Sequence, residues 1–300
     1  MEHQSDTLGG LRTYLFVPGN HPRKVQKVFQ AGADAVILDL EDAVANAEKV
    51  GAREAISEAL KAPRTCAAYI RVNSFHTEFC YGDLQTVIGP SLDGIVLPKV
   101  ESAGQLMTID WVMRQLERER GLEPGSIDLL PIIETACGVA ALDEIIAAKT
   151  RVRRLSFGAG DYTLDLDMQW TAGEAELADA RSRIVMASRL GNLEPPIDTV
   201  VIHIRDHDRL KASARRARTM GFQGKLCIHP DQVKPCNEIF TPTPDEIEHA
   251  RRVVEAFEEA ESQGSASIQL DGYFIDYPIV YKARRVLALM ARLQKLQAHA

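Results

Sequence analysis

The chain has 300 residues, of which 45% are hydrophobic and 26% are charged, values that are ordinary for a globular protein with a sizeable core. Its net charge of −7 excludes a general attraction for nucleic acid or for an anionic membrane. Five scattered cysteines without CxxC spacing predict neither a disulfide framework nor a zinc site. No apolar stretch approaches the roughly 20 residues that span a bilayer, and the amino terminus lacks the pattern of a secretory signal. We therefore expect a cytoplasmic protein.

Short, continuously apolar segments recur along the chain and predict strands that are buried on both faces of a parallel sheet. There are eight of them, at 13–18, 35–40, 67–72, 94–99, 128–134, 154–159, 199–204 and 225–229. Segments with helical character lie between them, at 21–33, 52–62, 103–121, 143–150, 178–191 and 210–221. The alternation predicts an α/β fold, a closed (β/α)₈ TIM barrel. The GxGxxG and GxxxxGK[ST] signatures of nucleotide-binding open sheets are absent.

The chain continues past the eighth predicted strand. Residues 241–264 and 279–297 have helical patterns, and Thr243 is the expected N-cap of the first of these helices. We predict a barrel catalytic domain over residues 1–240. A C-terminal helical extension over residues 241–300 is expected to act as a lid or an oligomerisation arm.

Two carboxylates lie at the ends of adjacent predicted strands, and the carboxyl ends of barrel strands are where chemistry is found. Glu134 ends the fifth strand, in DLLPIIETACG, and Asp161 follows the sixth, in GAGDYT. Two carboxylates, with water and substrate oxygens in the remaining positions, are the usual ligands of Mg²⁺. Glycines such as Gly160 let a ligand come close. The alternative is a structural ion pair of Glu134 with Arg71 or Lys99.

Further charged residues follow the second and third predicted strands. Arg71, in YIRVNS, carries a planar, permanently charged fork that suits a substrate carboxylate, with a salt bridge inside the barrel mouth as the alternative. Asp39, Glu41 and Asp42 follow the second strand. One of these acids could support metal-bound water, and another could cap the next helix.

Basic residues cluster at the first predicted helix and after the second strand. They are His21, Arg23, Lys24, Lys27, Lys49 and Arg53. A solvated helix face is the default interpretation, but in an acidic chain such groups could instead hold phosphates. We interpret His229 as structural, and Cys137 has no base partner that would make it a nucleophile.

Several motifs occur in a characteristic order between about Arg12 and the last helix. They are LFVPGNHPRK, AVILDLEDAV, IRVNS, GIVLPKVES, LLPIIETACGV, FGAGDY, GFQGKLCIHPDQV, NEIFTPTPDEIEHAR and DGYFIDYP. In these motifs the chain resembles the citrate lyase β-subunit-like family of the HpcH/HpaI aldolase superfamily. Malyl-CoA, citramalyl-CoA and methylmalyl-type lyases belong to that family.

The resemblance implies a (β/α)₈ barrel with Mg²⁺ bound by Glu134 and Asp161. It implies Arg71 on the carboxylate and oxyanion of the substrate, and Gly160 beside the substrate. Coenzyme A is expected near the start of the first helix, at Pro18, Arg23, Lys24 and Lys27. Supporting roles around the site are expected for Asp39, Glu41, Asp42, Lys49 and Arg53.

The resemblance also implies a homotrimer or hexamer in which the C-terminal segment covers a neighbour's active site. Asp276, in FIDYP, corresponds to the catalytic aspartate on that segment. The chain departs from the family pattern at Asn20-His21, at Gly160 and in LDLDMQW, so the substrate's identity stays open.

The implied reaction is the reversible cleavage of a 3-hydroxyacyl-CoA to acetyl-CoA, or a short homologue, and a 2-oxo acid such as glyoxylate or pyruvate. Three alternatives remain at this point. They are a thioesterase acting on malyl-CoA, a CoA-independent aldolase acting on free oxo acids, and a citrate lyase β subunit that works only on a carrier-bound acyl group.

Overall fold

The structure, a computed structural model, describes residues 9–299, with side chains described through residue 296. Residues 1–8 lie outside the described part. The prediction that the amino terminus is not a secretory signal rests mostly on these residues. The chain divides into two compact units, the first ending at Phe240 and the second beginning at Thr241.

The first unit is a closed barrel of eight parallel strands in sequential order, with the first strand paired to the eighth. The strands are β1 (Thr13–Pro18), β2 (Ala35–Asp39), β3 (Ala67–Arg71), β4 (Gly94–Leu97), β5 (Asp128–Ile133), β6 (Ser156–Phe157), β7 (Ile197–Asp198) and β8 (Gly224–Cys227). The predicted (β/α)₈ architecture is therefore confirmed.

Helices alternate with the strands of the barrel. They are α1 (Pro22–Val28), α2 (Lys49–Ala59), α3 (Cys80–Val87), α4 (Ala103–Glu119), α5 (Ala136–Ala140), α6 (Leu142–Ala147), α7 (Ala159–Asp165), α8 (Ala178–Leu190), α9 (His207–Met220) and α10 (Val233–Phe240). Most strand residues are buried because helices cover the outside of the barrel and side chains fill its inside, as the apolar segments predicted.

The seventh strand was predicted in the wrong place. The β-rich segment 199–204 is not a strand, and the two-residue β7 lies directly before it. Asp198 of β7 is fully buried because Arg181 and Lys225 pair with it, at 2.8 and 2.5 Å. By contrast, Ile202 and Ile204 of the predicted strand are exposed. Ladder pairing and buried ion pairs therefore override the local apolar pattern here.

Polar side chains fill the end of the barrel at which the strands begin. Arg154, fully buried, donates from Nη1 to Asp128 Oδ2 at 2.7 Å and also reaches the hydroxyls of Tyr14 and Tyr69. Gly94 beside Tyr69 is required, since a Cβ there would lie 2.1 Å from the Tyr69 ring. We call Tyr14, Tyr69, Asp128 and Arg154 the basal cluster.

The second unit consists of two helices and a hairpin. They are α11 (Pro244–Ser262), the antiparallel pair β9 (Ile268–Leu270) and β10 (Tyr273–Ile275), and α12 (Tyr277–His299). Thr243 caps α11 in a capping box with Glu246, as the sequence predicted. Val253, Phe257, Ile275 and Val280 form its own small core.

Among the described residues, no helix is both long enough and apolar enough to cross a bilayer.

Replacing Arg154 with alanine is expected to lower the free energy of unfolding by about 3–5 kcal/mol, because Asp128 would be left as an unpaired buried charge. Urea denaturation monitored by circular dichroism measures the change. The matched control is Arg183→Ala, which removes an exposed ion pair with Asp179 on α8 and should cost less than about 0.5 kcal/mol. Equal losses in the two variants would contradict a structural role for the basal cluster.

Candidate active site

Glu134 and Asp161 lie at the carboxyl end of the barrel, on neighbouring strands. Glu134 directly follows β5, and Asp161 lies in the first turn of α7, just after β6. Ile133 is in register with Phe157, which places Gly158 beside Glu134. A Cβ on Gly158 would lie 2.3 Å from Glu134 Oε2, so only glycine leaves room for this carboxylate. Gly158, rather than Gly160, is the glycine of closest approach, since Gly160 has open space around it.

Glu134 is a buried carboxylate with too little positive charge around it. Its exposed fraction is 3%, and Oε1 accepts a hydrogen bond from the backbone N–H of Lys99 at 2.8 Å. Burial, reinforced by repulsion from Asp161, raises the pKa of Glu134 to about 8, although Arg71 acts in the opposite direction. A cation shared with Asp161 would relieve both effects.

The donor set fits a hard divalent cation. Within the described part of the chain, no group of three or more His, Cys, Asp or Glu side chains is placed to hold a metal. Glu134 and Asp161 would therefore supply two oxygen ligands and leave the remaining positions to water and substrate, as is usual for Mg²⁺. Histidine and thiolate ligands, which zinc prefers, are not part of this arrangement.

Arg71 is held by two acids at the barrel mouth. Its Nε and Nη2 donate to the two carboxylate oxygens of Asp39, at 2.7 and 2.6 Å, and Nη1 lies 3.0 Å from Glu41 Oε2. The guanidinium carbon also lies 4.9 Å from the centre of the Phe16 ring. The salt bridge considered as an alternative from the sequence is thus present, and it fixes the orientation of the guanidinium.

The acids after β2 differ in their surroundings. Asp39 accepts hydrogen bonds from the backbone N–H groups of Glu41 and Ala43, at 2.9 and 3.2 Å. These contacts shape the loop after β2, and the ion pair of Asp39 with Arg71 links that loop to β3. Glu41 is buried, and this burial raises its pKa against the opposing effects of Arg71 and Lys99. Asp42 is largely exposed.

Lys49 and Arg53 support loops of the barrel mouth and do not face a ligand. Lys49 is buried and uses all three ammonium protons, on Leu40 O, Glu41 O and Asn73 Oδ1. Arg53 donates to the buried Asp83 at 2.7 Å. Lys49 thus has no free donor for a phosphate, and its contacts are those of a supporting residue.

The residues expected at the coenzyme site lie around the start of α1. Arg23, Lys24 and Lys27 are exposed, and Pro18 at the end of β1 is half-buried. None of the three basic side chains pairs with a carboxylate within the described residues, so their charges face solvent. His229 is half-exposed, and its Nδ1 accepts from the backbone of Asp231, a local structural contact.

Asp276 belongs to the second unit, between β10 and α12. It is half-buried, and its Oδ1 lies 3.4 Å from the backbone nitrogen of Ile279, which it caps. Large apolar side chains around it are exposed: Tyr273, Phe274, Tyr277, Ile279 and Tyr281.

The sequence indicated Lys99 only as a possible ion-pair partner of Glu134 and not by the contacts that it makes in the structure. Its backbone holds Glu134, while its Nζ lies 2.6 Å from Glu41 Oε1 and 4.0 Å from Asp161 Oδ1. The position at the end of the fourth predicted strand was the available signal. Its left-handed backbone, with φ of +52°, has no marker in the sequence.

Comparison with known proteins identifies relatives along almost the whole chain. Residues 12–230 match the family described as HpcH/HpaI aldolase/citrate lyase. The chain is 35% identical to citrate lyase subunit beta of Leuconostoc mesenteroides subsp. cremoris, over 93% of this chain and 92% of the relative. It is 33% identical to L-malyl-CoA/beta-methylmalyl-CoA lyase of Cereibacter sphaeroides, over 92% of this chain and 93% of the relative.

Among solved structures, the protein CitE of Mycobacterium tuberculosis, in complex with magnesium, acetoacetate and coenzyme A, superposes with a TM-score of 0.76. Its sequence is 28% identical, and the match covers 95% of this chain and 99% of that one. A citrate lyase beta subunit from the same organism, complexed with oxaloacetate and magnesium, has a TM-score of 0.66 at 29% identity, with 79% and 100% covered. The chain therefore belongs to the HpcH/HpaI aldolase/citrate lyase family of carbon–carbon lyases.

Proposed function

We propose that the protein is a Mg²⁺-dependent lyase that reversibly cleaves a 3-hydroxyacyl-CoA of the malyl-CoA or citramalyl-CoA type to acetyl-CoA and a 2-oxo acid, glyoxylate or pyruvate. The observation that carries the proposal is the arrangement of Glu134, which is buried beside the like-charged Asp161. Arg71 is fixed at the same barrel mouth by its ion pair with Asp39. Relatives crystallised with magnesium, oxo acids and coenzyme A support this assignment.

Glu134 and Asp161 hold the ion, which supplies Lewis-acid chemistry when bound. The remaining work falls to the protein's own groups. Arg71 faces the substrate oxygen on which negative charge develops, and the paired Asp39 keeps its guanidinium in one orientation, so little reorganisation is needed during the reaction.

Asp276 is the proposed acid–base group. In the condensing direction its carboxylate takes a proton from the carbon next to the thioester carbonyl. The electron pair of that C–H bond becomes the new C–C bond to the carbonyl carbon of the oxo acid, whose oxygen takes up a proton from water. In cleavage the hydroxyl group loses its proton to water, the C–C bond breaks as the carbonyl of the oxo acid forms, and the protonated Asp276 gives its proton to the acetyl-CoA carbon.

Binding of coenzyme A is assigned to the exposed basic face of α1, at Arg23, Lys24 and Lys27, with Pro18 beside it. Asp276 is assigned to the active site of a neighbouring copy in a homotrimer or hexamer. The exposed apolar side chains around it support this assignment, since apolar patches on a surface mark interaction sites.

A second candidate is a carrier-dependent citrate lyase β subunit. Relatives named citrate lyase subunit beta are 34–35% identical to this chain, at least as similar as the malyl-CoA lyase relatives. Such a subunit would use the same site on an acyl group attached to a carrier protein, and the isolated chain would not turn over CoA esters.

Mg²⁺ binding is expected to depend on pH through Glu134. Because its pKa is raised to about 8, the ion must displace a proton below that pH. The affinity should then fall about tenfold per unit as pH drops below 8 and level off above it. Isothermal titration calorimetry measures this. Glu134→Gln should abolish binding, whereas Glu101→Gln, on the neighbouring loop, should leave it unchanged. A flat pH profile would contradict Glu134 as a ligand.

Asp276→Asn is expected to reduce turnover by about 10²–10⁴ while leaving Mg²⁺ affinity within about twofold of wild type. Mass spectrometry detects the 3-hydroxyacyl-CoA formed from acetyl-CoA with glyoxylate, pyruvate or oxaloacetate. An adduct from the wild type that is lost in Asp276→Asn and Glu134→Gln establishes the lyase. Mg²⁺ binding without any adduct would favour the carrier-dependent subunit.

Mixing the inactive Glu134→Gln and Asp276→Asn proteins under subunit-exchange conditions should restore about one quarter of the wild-type activity, as expected for a ring whose sites combine two chains. The same adduct assay measures the recovery. No recovery, with exchange confirmed by mass spectrometry of the mixed oligomers, would show that each site is built from a single chain.

A further inference from the structure

Lys99 has a backbone conformation that normally selects glycine. It lies two residues after β4 and has φ of +52°, in the left-handed region that residues with a side chain rarely occupy. A glycine here would supply the same backbone without strain. Five other described residues with side chains share this conformation, so a role for Lys99 is inferred from its contacts.

The two ends of Lys99 contact different parts of the site. Its backbone N–H donates to Glu134 Oε1 at 2.8 Å. Its ammonium lies 2.6 Å from Glu41 Oε1, 3.3 Å from Asp42 Oδ2 and 4.0 Å from Asp161 Oδ1. One residue thus joins both proposed metal ligands, the first through the main chain and the second through the side chain.

Carboxyl groups outnumber the cationic side chains that pair with them around the proposed metal ligands. Five carboxyl groups, those of Asp39, Glu41, Asp42, Glu134 and Asp161, lie around Arg71 and Lys99, while Lys49 donates to two backbone carbonyls and to Asn73. The guanidinium of Arg71 is committed to Asp39 and Glu41. The Lys99 ammonium is therefore the cation beside Asp161, and its side chain is 30% exposed.

We propose that Lys99 is a positioning residue whose ammonium competes with a divalent cation for Asp161. Its ammonium lies 2.6 Å from Glu41 and 4.0 Å from Asp161, so a cation that binds Asp161 repels it. The ammonium and the incoming ion then compete for the same carboxylate, so Lys99 weakens metal binding and prevents the acidic site from holding the ion too tightly. This inference rests on the proposed Mg²⁺ site at Glu134 and Asp161.

If Lys99 competes with the metal, its removal changes the Mg²⁺ affinity in the opposite direction from the removal of a lysine that only supports the structure. Removing a supporting residue would disorder the ligands and weaken metal binding. Removing a competing charge should strengthen it, because an ammonium next to a doubly charged ion is repelled. The neighbouring carboxylates are expected to stay in place, since Glu41 has a second contact with Arg71 at 3.0 Å and the proposed ligand Asp161 is carried by α7.

The test is calorimetric titration of MgCl₂ into the full-length, metal-free protein. Lys99→Met, which removes the charge and keeps the length, is expected to bind Mg²⁺ about tenfold more tightly than wild type. Lys99→Gly should show the same gain, because it retains the N–H that holds Glu134 and relieves the backbone. Lys99→Arg should stay within about twofold of wild type.

The matched control is Lys61→Met, which removes an equal charge from an exposed pair with Glu58 far from the site and should leave the affinity unchanged. Thermal unfolding checks that each variant is folded. If Lys99→Met does not fold, the affinity of Lys99→Gly is used for the test. Unchanged or weaker Mg²⁺ binding in the folded variants overturns the proposal while leaving the metal site standing. If the wild type binds no Mg²⁺, the proposed function and this inference fail together.

Discussion

The buried carboxylate of Glu134 is the constraint around which the barrel mouth is organised. It lies at the end of an apolar strand, it needs the missing Cβ of Gly158, and it takes an N–H from the strained backbone of Lys99. Each of these features is costly or restrictive by itself, and each is explained if this carboxyl group has to be held in position to bind a cation. Glu134 therefore links the packing of the strands to the chemistry of the site.

The charged groups of the mouth differ in how far they are buried. Lys49, Asp83 and Asp39 are buried, and the contacts of Lys49 leave no free donor on its ammonium. Asp39 shapes its own loop and orients Arg71. Lys99 and Asp161 are about one third exposed. Buried, fully paired groups thus support the more open groups at which a ligand can bind.

Most of the barrel could be predicted because its strands are buried on both faces, which leaves a continuous apolar signal. The seventh strand could not be, since its two residues, Ile197 and Asp198, are fixed by ladder partners and by Arg181 and Lys225, which are distant in sequence. The helix α3 was also missed, since CYGDLQTV has a glycine and weak helix formers. At the site, the carboxylate pair and Lys99 could be found at strand ends, but the backbone contact of Lys99 with Glu134 could not be predicted, because a left-handed lysine has no local signature.

The basal cluster has a consequence for how such a protein can change over time. Arg154, Asp128 and the two tyrosines fill the barrel at the end opposite the mouth, so the contacts of this cluster lie away from the chemistry. Substitutions among the loops that follow the strands can then alter which acids and thioesters are accepted without weakening the scaffold. A barrel anchored at one end in this way can diversify its substrates through a series of folded intermediates.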